Sequence, residues 1–88
     1  MVTIVVSRGW AQRGKVAFEA PAGRLPDVLR RLAEDDPDYE RRLLDSNGEL
    51  YGYLSIFVDA EQVPRHLHAT FDVREGSTVT ILPPLAGG

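Results

Sequence analysis

One stretch of this 88-residue chain carries helical periodicity, and the stretches on either side alternate as strands do. From Leu25 the apolar residues fall at Leu25, Val28, Leu29, Leu32 and Ala33, the i, i+3, i+4, i+7, i+8 spacing of an amphipathic helix. Pro26 suits its first turn, where a missing N–H costs nothing. Pro21 and Gly23 close the segment before it, and Glu34-Asp35-Asp36-Pro37 ends it, because proline cannot continue a helix and acidic groups oppose the macrodipole at a C-terminus. A lone helix with one apolar stripe has only a sheet to bury it against.

The strands can be placed by their period of two. Val2, Ile4 and Val6 alternate with Thr3, Val5 and Ser7; after the polar turn from Arg8 to Gly14, Val16 and Phe18 point inward across Lys15–Glu19, giving a hairpin. Tyr39, Leu43 and Leu44 stand among charges between Asp38 and Asn47, which reads as a short helical cover ending at the Asn47-Gly48 turn. Tyr53–Asp59 puts Leu54, Ile56 and Val58 on one face and Tyr53, Ser55 and Phe57 on the other. A turn through Asp59-Ala60-Glu61 leads to a short edge strand at Gln62-Val63. Arg65–Phe71 stays ambiguous, and the Glu75-Gly76 turn opens a last strand, Ser77–Leu82, with Val79 and Ile81 inward. Two strands, one helix, a cover and three more strands predict an α+β chain of β-grasp layout. A mixed sheet of four to five strands packs on one main helix, with the first and last strands parallel at its centre. The domain is expected over residues 1–82 and an extended tail over 83–88.

Composition removes whole classes of function. With no cysteine there is no disulfide, thiolate metal site or cysteine nucleophile. Ten basic against thirteen acidic residues, net −3, give no overall attraction for a phosphate backbone, so nucleic acid is not an expected partner. No apolar run approaches the roughly 18 residues of a membrane span, and the chain opens directly into a strand pattern, so a cytoplasmic protein without membrane association is expected. No phosphate-binding loop, nucleophile elbow or paired-carboxylate motif is present, so an independent enzyme is not expected.

The chain ends Pro83-Pro84-Leu85-Ala86-Gly87-Gly88. At average glycine usage near 7%, two terminal glycines arise by chance in about one protein in two hundred. The proline pair sends the chain away from the sheet, and six residues at about 3.3 Å each reach on the order of 20 Å. Gly87 and Gly88 have no β-carbon, so backbone and carboxylate can enter a channel closed to side chains.

This ending, Thr80-Ile81-Leu82-Pro83-Pro84-Leu85-Ala86-Gly87-Gly88, together with the Glu75-Gly76 turn and the Leu54–Asp59 strand, resembles the ubiquitin-like sulfur carriers of the MoaD/ThiS family. That family includes the molybdopterin synthase small subunit, the thiamine-pathway carrier and the cysteine-synthesis carrier CysO. Leu85 departs from the valine or similar small residue expected there, and the middle segment from Asp35 to Tyr53 is longer than the thiamine carrier needs. The resemblance implies a protein cosubstrate, not a catalyst, with no bound cofactor. A ubiquitin-activating-like adenylyltransferase uses ATP to convert the Gly88 carboxylate to an acyl-adenylate. A sulfur donor displaces AMP to leave a thiocarboxylate, which a sulfur-accepting synthase consumes. The longer middle segment and the Thr80–Pro83 spelling lean toward a cysteine-type or specialised pathway, with the molybdopterin synthase subunit as the alternative. Two other readings are a lysine-attached ubiquitin-like modifier and a binding-only domain whose last glycine is dispensable.

Gly88 is thus the expected reacting group, Gly87 gives access, and Pro83, Pro84, Leu85 and Ala86 form the stalk. Val5, Phe57 and Leu82 are expected on the sheet face away from the helix, as an apolar docking patch beside the tail. His66 and His68 lack a third ligand, so no metal site is expected and both read as loop histidines. The acidic run Glu34-Asp35-Asp36 with Asp38 and Glu40 reads as a solvated face, and Trp10 as either an interface anchor or a cover over one end of the sheet.

Overall fold

Alternation along the first strand is strict: Val2, Ile4 and Val6 are buried while Thr3 and Val5 are half-buried, so one face of β1 (Val2–Val6) is committed to the core. In the computed structural model, which describes residues 1–10 and 15–83, β1 pairs antiparallel with β2 (Ala17–Ala20), matching Ile4 with Phe18. Val16 lies just before β2, partly buried against the core. A two-residue strand β3 (Gly23–Arg24) leads into α1 (Leu25–Asp35), whose buried residues are Leu25, Val28, Leu29, Leu32 and Ala33, the stripe that the spacing predicts.

A 3₁₀ turn at Pro37–Tyr39 and the short α2 (Glu40–Leu43) form the expected cover. Tyr39 is fully buried there, its ring edge-on to Phe18 and Trp10 at centroid distances of 5.5 and 5.9 Å. Next come β4 (Ser55–Val58), β5 (Glu61–Gln62), a 3₁₀ turn at Arg65–Leu67, β6 (Asp72–Val73) and β7 (Thr78–Leu82). The main sheet runs β2-β1-β7-β4-β5. Parallel pairing of β1 with β7 and antiparallel pairing of β4 with β7 put the first and last strands at the centre, and the layout is the expected β-grasp. Gly76, at φ 85°, makes the turn into β7 that a side chain would strain.

Two expectations shift, and one pairing was not expected. The middle strand begins at Ser55, not Tyr53, because the Leu54 N–H donates back to the Tyr51 carbonyl and closes a turn there. The edge strand is Glu61–Gln62, one residue earlier than expected, set by the tight pairing of Val58 with Glu61; Val63 is buried beyond it, its N–H donating to the Ile56 carbonyl at 2.8 Å. The β3–β6 ladder pairs Gly23 with Val73 and Arg24 with Asp72, a contact between two residues at each site that no period of two can announce. The ambiguous 65–71 segment folds as the 3₁₀ turn followed by a turn in which Thr70 and Phe71 donate to the Leu67 carbonyl.

Candidate functional site

The expected reacting end follows β7, which is held on both sides as far as Ile81 and by β4 to its last residue. Val6 pairs with Ile81 on one flank, and Ser55 pairs with Leu82 on the other. Ile81 is fully buried; Leu82, facing outward, is 39% exposed, and Pro83 beyond it is half-buried. A strand with a neighbour on each side has no free edge, so the root of the tail has a fixed position and direction. Pro84, Leu85, Ala86, Gly87 and Gly88 lie outside the described residues, as do the stalk geometry and the reach expected for them.

The face away from α1 carries the expected docking residues in an order set by register. Val5 pairs with Thr80 and Thr80 with Phe57, so these three form one row across β1, β7 and β4. Val5 and Phe57 are half-buried there, separated by Thr80. Leu82 stands one row further toward the tail, opposite Ser55. The three apolar residues share the face but not a row: Thr80 stands between Val5 and Phe57, and Leu82 is diagonal to both.

Tyr53, which sequence reasoning placed on that face without assigning it to the site, lies in the turn two residues before Ser55, where β4 begins opposite Leu82. Its ring stacks on Tyr51 at 4.8 Å between centroids and 12° between planes, and it is 53% exposed. Burial against its neighbour, and then the charge of Tyr51, raise its phenol above the ordinary 10.0. The available signal was the Tyr51-Gly52-Tyr53 spacing, which a turn at Gly52 folds into a stacked pair.

Trp10 is a cover: Arg42 lies over its ring and donates to its carbonyl, and the Tyr39 hydroxyl reaches the same carbonyl at 3.4 Å. His68 differs from the expected loop histidine in being buried, with Nε2 donating to the Val63 carbonyl at 3.1 Å, whereas His66 is exposed. Among the described residues no three His, Cys, Asp or Glu side chains gather as a metal site, and no helix is long and apolar enough to cross a membrane. The acidic run is engaged locally: Asp35 pairs with Arg31 at 3.5 Å, and Asp36 accepts the Asp38 N–H at 3.2 Å.

Comparison with known proteins bears on this arrangement. The family model described as the ThiS family matches residues 9–88. In fold, the chain is similar to a solved complex of BexX and CysO from Amycolatopsis orientalis, with a TM-score of 0.81, 21% identity and full coverage of both chains. It is also similar to CysO of Mycobacterium tuberculosis, described as an antigen, with a TM-score of 0.76, 26% identity and coverage of 97% of this chain and 100% of that one. Small archaeal modifier protein 1 of Haloferax volcanii gives a TM-score of 0.70 at 19% identity, covering 96% and 97%. No curated protein matches the sequence.

Proposed function

The chain belongs to the ThiS family of ubiquitin-like sulfur carriers, and from that premise we propose that it carries sulfur as a thiocarboxylate on Gly88. The observation that carries this reading is the pairing of β7 on both sides up to Ile81 and with β4 to Leu82, which holds the root from which the chain continues at Pro83. A carboxylate is a poor electrophile. An adenylyltransferase partner joins the Gly88 carboxylate to the α-phosphate of ATP and releases pyrophosphate. Hydrosulfide then attacks the acyl carbon, AMP leaves, and a C-terminal thiocarboxylate remains with its charge largely on sulfur.

This chain's part is presentation. Gly87 and Gly88, without β-carbons, suit a channel closed to side chains, and Val5, Phe57 and Leu82 give the partner an apolar surface at the tail's root. The protein is then a cosubstrate with no cofactor of its own, ATP being bound by the activating partner in the cytoplasm. The likeness to CysO supports a cysteine-type or specialised sulfur acceptor.

The test is intact-protein mass spectrometry after incubation with ATP, sulfide and an adenylating enzyme from the same organism. The full chain should gain the mass difference between sulfur and oxygen, and a chain without Gly87 and Gly88 should not. No gain in the full chain, with the same enzyme active on another carrier, refutes the proposal.

A further inference from the structure

Four large apolar side chains stand exposed among the described residues: Met1, Tyr53, Leu67 and Leu82. Two of the four flank the root of the tail. Leu82 is the last residue of β7, and Tyr53 comes two residues before Ser55, which pairs with Leu82. Two residues of chain span at most about 7 Å and paired strands lie about 5 Å apart, so the Tyr53 backbone is within about 12 Å of Leu82. A standard interface covers about 800 Å² per partner, a disc about 32 Å across. A partner centred on the tail root therefore covers Tyr53 as well.

The turn that carries Tyr53 is tied down at both ends. Before it, Leu44 and Leu50 form a β-bridge, and the Tyr51 N–H donates to the Leu43 carbonyl of α2 at 3.0 Å. After it, Leu54 is buried, with its N–H donating to the Tyr51 carbonyl at 3.3 Å. Between the tyrosines, Gly52 leaves the space that the Arg65 guanidinium fills. The Tyr53 ring is thus backed by Tyr51 while about half of the residue stays in water. A pair left so open does little for the core. For binding it is well suited, because a ring already ordered by stacking loses little side-chain freedom when a partner covers it, and tyrosine is enriched among the residues that anchor interfaces.

On the sulfur-carrier reading above, we propose that the ring of Tyr53, backed by Tyr51, is an anchor for the ATP-dependent enzyme that adenylates Gly88, extending the contact at Leu82 past the start of β4. Tyr53 lies away from the reacting carboxylate and acts on docking alone. Its contact is the same in the ground state and the transition state, so its loss weakens binding of the carrier and spares the chemical step.

The experiment follows ATP–pyrophosphate exchange by an adenylating enzyme from the same organism as the concentration of the full chain is raised, without sulfide. Exchange reports the joining of the Gly88 carboxylate to AMP with release of pyrophosphate, and nothing later. Tyr53→Ala should raise the half-saturating concentration about tenfold or more at an unchanged maximal rate, and Tyr53→Phe, which keeps the ring, should stay within about twofold of the parent chain. Circular dichroism should show both variants folded at the assay temperature, since the side chain is exposed. An unchanged half-saturating concentration in Tyr53→Ala, a fall in its maximal rate alone, or a Tyr53→Phe as weak as Tyr53→Ala overturns the anchor and leaves the carrier reading standing. A parent chain that supports no exchange, with the enzyme active on another carrier, overturns both.

Discussion

The turn between β4 and β5 stores strain in one residue and a restraint in the next. Asp59 and Ala60 both hold positive φ, at 50° and 74°, as a two-residue type I′ hairpin loop requires. For alanine that conformation costs about 1–2 kcal/mol, which glycine avoids. Ala60→Gly recovers that amount less about 0.4–1 kcal/mol for the added freedom of the unfolded chain, leaving a net gain of about 0.5–1 kcal/mol. At about 4–8 °C per kcal/mol for a domain of this size, Tm should rise by about 2–8 °C. Asp59→Gly relieves the same kind of strain, but aspartate tolerates that region better than alanine, so it recovers less. It also deletes the carboxylate whose Oδ1 accepts the Thr78 N–H at 2.9 Å, a bond that ties the turn to β7. A hydrogen bond to a charged acceptor contributes about 1.5–3 kcal/mol, toward the lower figure at this exposed site, so Asp59→Gly should lose about 1 kcal/mol. Thermal unfolding followed by circular dichroism should give the two variants opposite signs. A lower Tm for Ala60→Gly, or a higher one for Asp59→Gly, refutes this division of strain and restraint.

Other consequences follow from burial. Leu29 is fully buried on α1, and Leu29→Ala should cost about 2–5 kcal/mol in urea unfolding at unchanged slope; a loss under about 1 kcal/mol means that the stripe does not anchor the sheet. The raised phenol of Tyr53 means that folding disfavours its ionised form, so the associated stability is complete below pH 10.0 and is lost as the pH rises through the folded-state value. The ultraviolet titration difference between the protein and Tyr53→Phe should show a phenol ionising above the free value, and a lower midpoint contradicts the stacked geometry. Phe57→Ser should leave the unfolding transition in place while weakening binding of the proposed adenylating partner; unchanged affinity removes the outer face from the proposed interface.

The fold was legible where one side-chain period runs long enough to commit a face to the core. Leu25 to Ala33 and Val2 to Val6 show this, with all five stripe residues of α1 buried in the structure. It was not legible where pairing is non-local and brief. Gly23 reads in sequence as a chain breaker, yet it opens β3 against β6 some fifty residues away, a pairing held by backbone groups that carry no side-chain pattern. The same limit applied at the site. Val5, Phe57 and Leu82 could be assigned to one face by parity, but only the register shows Thr80 between the first two and Leu82 a row closer to the tail. Tyr53 was placed on that face and overlooked because stacking on Tyr51 depends on a turn. His68 was read as a loop residue because nothing in its neighbours in sequence announces the Val63 carbonyl that it meets.

The position of β7 ties presentation of the tail to folding of the whole. It pairs with β1 from the beginning of the chain and β4 from the middle, so neither partner can be lost without freeing the tail's root. The outer strands β2 and β5 each have one neighbour in the sheet and can fray first without disturbing that root. Two kinds of defect in a carrier variant are therefore separable. On the proposed function, a core change such as Leu29→Ala should lower sulfur loading only in proportion to the unfolded fraction, and stabilising conditions should restore it. On the same proposal, a change on the outer face such as Phe57→Ser should lower loading in molecules that are fully folded, and stabilising conditions should leave it low.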